Sequence, residues 1–154
     1  MLSVSVFFNV TSLPDSIYEY TKDSLEHMVK EGAFPDLIQV GNEIINGMLW
    51  PVAKVDPLGM ENWDLFVKLL ESGAKACREI CPKAKIIIHT EKAGEWNKIK
   101  TYYNHLWQLD YDIIGLSYYS MWHKAVGVLA ATLDSLAIEF PDKEVMIVEA
   151  AAYY

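Results

Sequence analysis

Four aliphatic runs, "LIQV" (37–40), "KIIIH" (85–89), "DIIGLS" (112–117) and "EVMIVE" (144–149), are spaced along the chain with helical stretches between them. Runs this uniformly apolar are buried on both faces, as strands of a parallel sheet are. Parallel neighbours need a crossover of a dozen residues or more, and each intervening segment is long enough to supply one. The pattern helix, strand, helix, strand, repeated to the end, predicts an α/β fold.

The helical stretches carry their own signals. In "SLPDSIYEYTKDSLEHMVKEG" (12–32), Ser12 and Asp15 suggest a capping box, Pro14 fits a first turn and Gly32 a stop. Ile17, Thr21, Leu25, Met28 and Val29 fall on one face. Trp63, Phe66, Val67, Leu70, Ala74 and Cys77 form the stripe of a second helix. Further helices are expected over 95–109 and 125–140, a long polar loop up to about Gly59, and a short strand at "MLSVSVFF". Trp63, Trp96 and Trp107 read as helix or core packing, and "DYD" (110–112) as a solvated turn.

Composition narrows the function classes. The net charge of −8 is spread along the chain, which argues against nucleic acid, whose partners need a basic face. No apolar run approaches the length of a membrane span. The opening residues lack a basic leader and a small-residue cleavage site. Cys77 and Cys81 share a helix face without partners at metal spacing, so buried thiols are expected and no metal.

One regularity goes beyond fold class. Each aliphatic run ends in polar or aromatic residues: Asn42 and Glu43; His89 and Thr90; Ser117, Tyr118 and Tyr119, with Trp122 and His123 beyond; and Glu149. Ligands of α/β sheets and barrels bind at that carboxyl edge. Glu43 and Glu149 are two carboxylates delivered to one rim, which suits glycoside hydrolysis: one protonates the leaving oxygen, the other attacks the anomeric carbon or activates water. Asn42 offers a hydrogen bond to a sugar hydroxyl. Tyr118 or Tyr119 could donate to Glu149 and favour its charged form. Trp50 and Trp122 present flat apolar faces to sugar rings. A single Glu after a strand is more often a helix cap or an ion-pair partner, and a lone His89 a satisfied core histidine. The convergence of several such residues on one edge favours a site.

The segment "QVGNEIINGMLWP" closely resembles the acid/base segment of glycoside hydrolase family 53, the endo-β-1,4-galactanases. "KIIIHTEK" is similar to that family's fifth strand, "YDIIGLSYYSMWH" to its sixth and "EVMIVEAAAYY" to its nucleophile segment. The resemblance runs from about residue 14 to the C-terminus. It implies a partial (β/α)8 TIM barrel, strands four to seven with their helices, as a single domain over 1–154 with 1–13 unmatched; a compact doubly wound domain is the alternative fold. It makes Glu43 the acid/base, Glu149 the nucleophile and Asn42 the partner of the 2-hydroxyl. His89, Tyr118, Tyr119, Trp122 and His123 would line the cleft, with Asn46 and Trp50 nearby. The implied partner is a galactan-type polysaccharide, with no cofactor, in a secreted or cell-surface setting.

The chain departs from the family pattern at four positions. Ile45 stands where a second Asn is usual, Ser120 for Pro, Lys124 for Gly and Ala150 for Thr. Four strands would leave two open edges, so the chain is expected to self-associate through the open barrel, to be marginally stable, or to be a fragment of a longer protein, with weak activity for the chain alone. The rival function is a catalytically inactive carbohydrate-binding or vestigial barrel fragment.

Overall fold

The computed structural model describes residues 12–59 and 62–152, and the strand expected at "MLSVSVFF" lies outside them. Four parallel strands, β1 (Leu37–Gln39), β4 (Lys85–Thr90), β5 (Ile113–Tyr119) and β6 (Glu144–Ala151), form one sheet in the order β1-β4-β5-β6. The crossovers are α2 (Trp63–Ile80), α3 (Trp96–His105) and α4 (Val126–Glu139), and α1 (Leu13–Lys30) precedes β1. Strands that are sequential neighbours along the whole sheet are what a barrel segment requires. A doubly wound sheet reverses its order at a switch point, and none occurs among the described residues.

The segment expected to be a plain loop after β1 carries a small hairpin, β2 (Gly47–Met48) with β3 (Ala53–Lys54). Gly47 makes it possible. Its φ is +83°, and a β-carbon there would lie 2.1 Å from the Ala53 carbonyl oxygen. Hairpin signals of two residues per strand are too short to show as periodicity.

The core lies between the sheet and its helices. Helix α2 buries Trp63, Phe66, Leu70, Ala74 and Cys77 of the expected stripe and Leu69 besides, with Val67 only partly buried. It packs closely on the residue that follows β1, because a β-carbon on Gly73 would meet Val40 Cγ1 at 3.0 Å. Trp63 stacks on His105 at 3.9 Å and meets Phe66 and Tyr102 edge-on. Tyr103 is fully buried, and its hydroxyl donates to the Ile88 carbonyl at 3.0 Å. Both cysteines are free and buried, and no helix of the described residues is long and apolar enough to cross a membrane.

Several local expectations are corrected. Ser12 occupies the N-cap position of α1 with helical backbone angles and makes no side-chain capping bond; capping needs an extended residue there. Met28 is exposed rather than core. Helix α3 ends at His105, so Trp107 lies beyond it and is 76% exposed. Leu37 is 45% exposed, because among the described residues β1 is the outer strand of the sheet and not the doubly covered strand its composition suggests.

The "DYD" segment is not a solvated turn. Tyr111 is buried, and Asp110 and Asp112 form a clamp with Arg78 at the amino ends of the strands. The guanidinium holds Asp110 through two bonds of 2.9 and 2.8 Å, Asp112 at 2.8 Å and the Ala84 carbonyl at 3.0 Å. Asp112 also accepts the Ile86 amide at 2.7 Å, tying β4 to β5. The hydrogen bonds from Arg78 hold the Asp110 carboxyl below its usual value.

Two predictions follow from this packing. Arg78→Met should lower stability by about 2 kcal/mol at neutral pH, since charge-assisted bonds are lost and Asp112 keeps no cation. A carboxylate with a lowered folded pKa contributes fully above its unfolded value and loses that contribution as pH falls through the folded one. The gap to wild type in urea unfolding should therefore narrow below about pH 4. Gly115→Ala should cost about 1–3 kcal/mol by overpacking, because its β-carbon would sit 2.7 Å from Ile87 Cγ2 and 3.3 Å from Val148 Cγ1. Unchanged midpoints would reject either account.

Candidate active site

The carboxyl ends of the four strands bring Glu43, His89, Ser117 and Glu149 together. Side chains on one face of a strand recur every second residue, and paired residues of parallel strands share a face. His89 pairs with Gly115, so His89 lies one step below Ser117 on the same face of the sheet. Glu149 joins them through an irregularity. The register runs Leu116 with Ile147, then Ser117 with Glu149, so Val148 is an extra residue. Without that bulge Glu149 would pair with Tyr118 and point to the other face.

Glu43 arrives by a strained turn. Gly41 has φ +82° and Glu43 itself φ +49°, a left-handed conformation that costs a non-glycine residue about 1–2 kcal/mol. The following Ile44 amide donates to the His89 carbonyl at 3.1 Å, and Ile44 and Ile45 are buried. The turn is thus pinned to the end of β4, and Ile45, where the resemblance leads one to expect Asn, anchors it in the core.

A continuous hydrogen-bonded row crosses the site. Ser117 Oγ lies 2.7 Å from Glu43 Oε1 and 2.8 Å from His89 Nε2. His89 Nδ1 is 3.2 Å from Asn42 Oδ1, which also accepts from Gln39 Nε2 at 3.0 Å. His89 is fully buried, and burial lowers its pKa against the opposing pull of Glu149 and Glu43. On the far side, Tyr119 Oη donates to Glu149 Oε2 at 2.6 Å. That bond, first among its causes, raises the Tyr119 pKa, so the hydroxyl stays a donor.

The other expected residues are placed less uniformly. Tyr118 turns away from the carboxylates: its hydroxyl donates to the Lys124 carbonyl at 3.0 Å and its ring packs on the core. His123 is buried, and its Nδ1 accepts the Tyr119 amide at 3.1 Å. Trp122 is 74% exposed and meets the Tyr119 ring edge-on at 5.6 Å. Trp50 is also exposed; its Nε1 donates to the Asn46 carbonyl, and Lys54 Nζ sits 4.5 Å from the centre of its ring. Asn46 and Trp50 line a depression of about 790 Å³ with Pro51, Lys54, Asp56 and Asn62, and neither Glu43 nor Glu149 is part of its lining. Lys124 has φ +68°, which accounts physically for the glycine usual at that position.

Two residues were missed as site candidates. Ser117 was read only as part of a polar strand end, although its position two residues before Tyr119 puts both on one face. Glu91 follows β4; burial, opposed by nearby amides, raises its pKa, and its Oε2 has no hydrogen-bond partner among the described residues.

Ligand atoms of Glu43, His89 and Glu149 all lie within 4.8 Å of one another. Such a trio could hold a divalent ion, but both imidazole nitrogens and one oxygen of each carboxylate are already hydrogen-bonded. Metal ligation by the imidazole would break a bond to Ser117 or Asn42. Chemically, the arrangement offers two closely spaced carboxylates, one facing a hydroxyl-imidazole row and one a phenol.

Comparison with known proteins gives a consistent picture. Residues 6–154 match the family model described as glycosyl hydrolase family 53. The chain is 31% identical over 155 residues to a probable arabinogalactan endo-β-1,4-galactanase A of Aspergillus flavus, covering 92% of this chain and 42% of that protein. It is 28% identical over 151 residues to the arabinogalactan endo-β-1,4-galactanase of Thermothelomyces thermophilus, covering 92% and 44%. Among solved structures, a fungal β-1,4-galactanase superposes with TM-score 0.83 at 28% identity, over 97% of this chain and 46% of that one. The family 53 catalytic domain of Ignisphaera aggregans gives 0.81 at 30% identity, over 94% and 39%. The chain spans less than half the length of these relatives, and its four parallel strands with their helices are one part of their barrel. With the match extending over nearly every residue, the chain belongs to glycosyl hydrolase family 53.

Proposed function

We propose that this chain carries the catalytic edge of a retaining endo-β-1,4-galactanase, with Glu43 as acid/base and Glu149 as nucleophile. The observation that carries the reading is the approach of the two carboxylates to within 4.8 Å. Retaining glycosidases hold their pair about 5–5.5 Å apart, whereas inverting ones leave about 6.5–9.5 Å for a water. The names of the fungal relatives support a galactan substrate, and a polysaccharide substrate fits a secreted or cell-surface protein.

In this mechanism Glu43 gives its proton to the glycosidic oxygen as the carbon–oxygen bond breaks. Glu149 attacks the anomeric carbon from the opposite side and forms a glycosyl ester. Glu43, now a carboxylate, takes a proton from water, which displaces Glu149 and restores the starting state. Tyr119 engages Glu149 Oε2, leaving Oε1 for the attack. Asn42 meets the 2-hydroxyl, and the exposed ring of Trp122 stacks against a neighbouring sugar. No cofactor takes part.

A second reading has its own support. Both outer strands, β1 and β6, have one side without a strand partner among the described residues, and the side chains of β6 are only half-buried. Water reaching the pair from that side weakens the electrostatic control of both carboxylates, which favours an inactive carbohydrate-binding fragment unless the open edges are covered by self-association.

Incubation of the purified 154-residue chain with β-1,4-galactan separates these readings. The expected result is slow release of galacto-oligosaccharides with retained anomeric configuration, confined to an oligomeric fraction and reduced at least about a thousandfold in Glu149→Gln. Inverted product, or hydrolysis indifferent to that substitution, contradicts the assignment. Full turnover by a monomer contradicts the need for self-association. Galactan binding without cleavage selects the inactive reading.

A further inference from the structure

The row from Gln39 to Glu43 has a hydrogen count that does not close for ionised Glu43 and a neutral imidazole. Three contacts, Asn42 Oδ1 to His89 Nδ1, His89 Nε2 to Ser117 Oγ, and Ser117 Oγ to Glu43 Oε1, each need one hydrogen. A serine hydroxyl and a neutral imidazole supply two. A second ring proton would supply the third, but His89 is fully buried, and burial disfavours the charged ring.

Two arrangements remain. In the first, Glu43 is protonated and donates to Ser117, Ser117 donates to His89 Nε2, and His89 donates from Nδ1 to Asn42 Oδ1. The bond from Gln39 Nε2 to Asn42 Oδ1 is then kept, because an amide oxygen accepts twice. In the second, Glu43 is ionised and every bond runs the other way. Ser117 donates to Glu43, His89 donates from Nε2 to Ser117, and the Asn42 amide makes a half-turn so that its nitrogen serves His89 Nδ1. Gln39 turns with it and accepts the second hydrogen of that nitrogen.

We propose that Ser117 is a positioning residue that couples the proton on Glu43 to the tautomer of His89 and, through it, to the orientation of the Asn42 amide. When Glu43 holds its proton, Asn42 has its oxygen tied to His89 and Gln39 and its nitrogen left over for a ligand. When Glu43 is ionised, the nitrogen is tied and the oxygen is left over. The amide beside the reacting sugar would thereby change from donor to acceptor between the acid and base halves of the cycle. That functional meaning rests on the galactanase reading; the coupling itself does not.

Other charges face these groups. Glu149 on β6 acts on His89, Glu91 beyond β4 interacts with Glu43, and Tyr119 on β5 feels both glutamates. Neither Glu149 nor Glu91 is hydrogen-bonded to the row, so a field effect from them would not depend on the Ser117 hydroxyl; the Tyr119 hydroxyl, which donates to Glu149, also interacts with Ser117.

Nitrogen-15 spectra of the imidazoles tell the Nδ1–H form, the Nε2–H form and the imidazolium apart. The test is a pH titration of the 154-residue chain without substrate, followed at His89. The expected course on acidification is Nε2–H, then neutral Nδ1–H, and only then imidazolium. Glu149→Gln should keep the middle stage. Ser117→Ala should lose it, passing straight from one neutral tautomer to the charged ring. Glu43→Gln, which keeps the side-chain volume should Ser117→Ala fold poorly, should also show a single neutral tautomer at every pH. A wild-type ring that goes directly from Nε2–H to imidazolium overturns the proposal, as does a middle stage that survives in Ser117→Ala or Glu43→Gln. Because no substrate is present, these outcomes stand apart from the hydrolysis assay: a tautomer switch without galactan cleavage would reject the galactanase and keep the coupling.

Discussion

The single extra residue in β6 is the constraint on which the site depends. A parallel pair in strict register sends Glu149 to the face occupied by Tyr118, where the ring packs into the core and the hydroxyl is spent on the Lys124 carbonyl. The bulge at Val148 turns Glu149 onto the face of Ser117 and within reach of the Tyr119 hydroxyl. One residue of slip moves a carboxylate from the helix layer to the rim. Bulges recur beside active sites for this reason.

The two ends of the sheet divide the work. At the amino end, Arg78 gathers Asp110, Asp112 and the Ala84 carbonyl and ties β4 to β5. At the carboxyl end the backbone is strained at Glu43, and polar side chains replace the aliphatic layer formed by Ile87, Gly115 and Val148. Strain and buried polarity are destabilising in themselves and persist only where the surroundings hold them. The clamp and the aromatic cluster around Trp63, Tyr102 and Tyr103 supply that support.

The fold was legible where burial and period agree. The runs at 85–89 and 112–117 are aliphatic because they are covered on both faces, and the stripe of α2 is buried as its spacing requires. It was less legible where a local rule meets a tertiary one. Leu37 has the composition of a buried residue but lies on an edge, and Trp107 has the size of a core residue but follows the end of its helix. The site was legible as a set of polar endings after apolar strands. Its wiring was not, because the bulge at Val148, the left-handed turn at Glu43 and the bridging role of Ser117 leave no periodic trace. The bridge that one serine hydroxyl makes between Glu43 and His89 cannot be read from a list of residue types.

In the proposed mechanism Glu149 attacks a galactosyl carbon while Glu43 assists from less than 5 Å away. Exposure of the chain to a 2-deoxy-2-fluoro-β-galactoside with a good leaving group, followed by peptide mass analysis, tests this most directly. A single turnover leaves a lasting label, so even a slow enzyme responds. The prediction is one fluorogalactosyl unit per chain, on the peptide containing Glu149 and absent in Glu149→Gln. A label on Glu43, Glu91 or any other residue, or a chain that remains unlabelled, would contradict it.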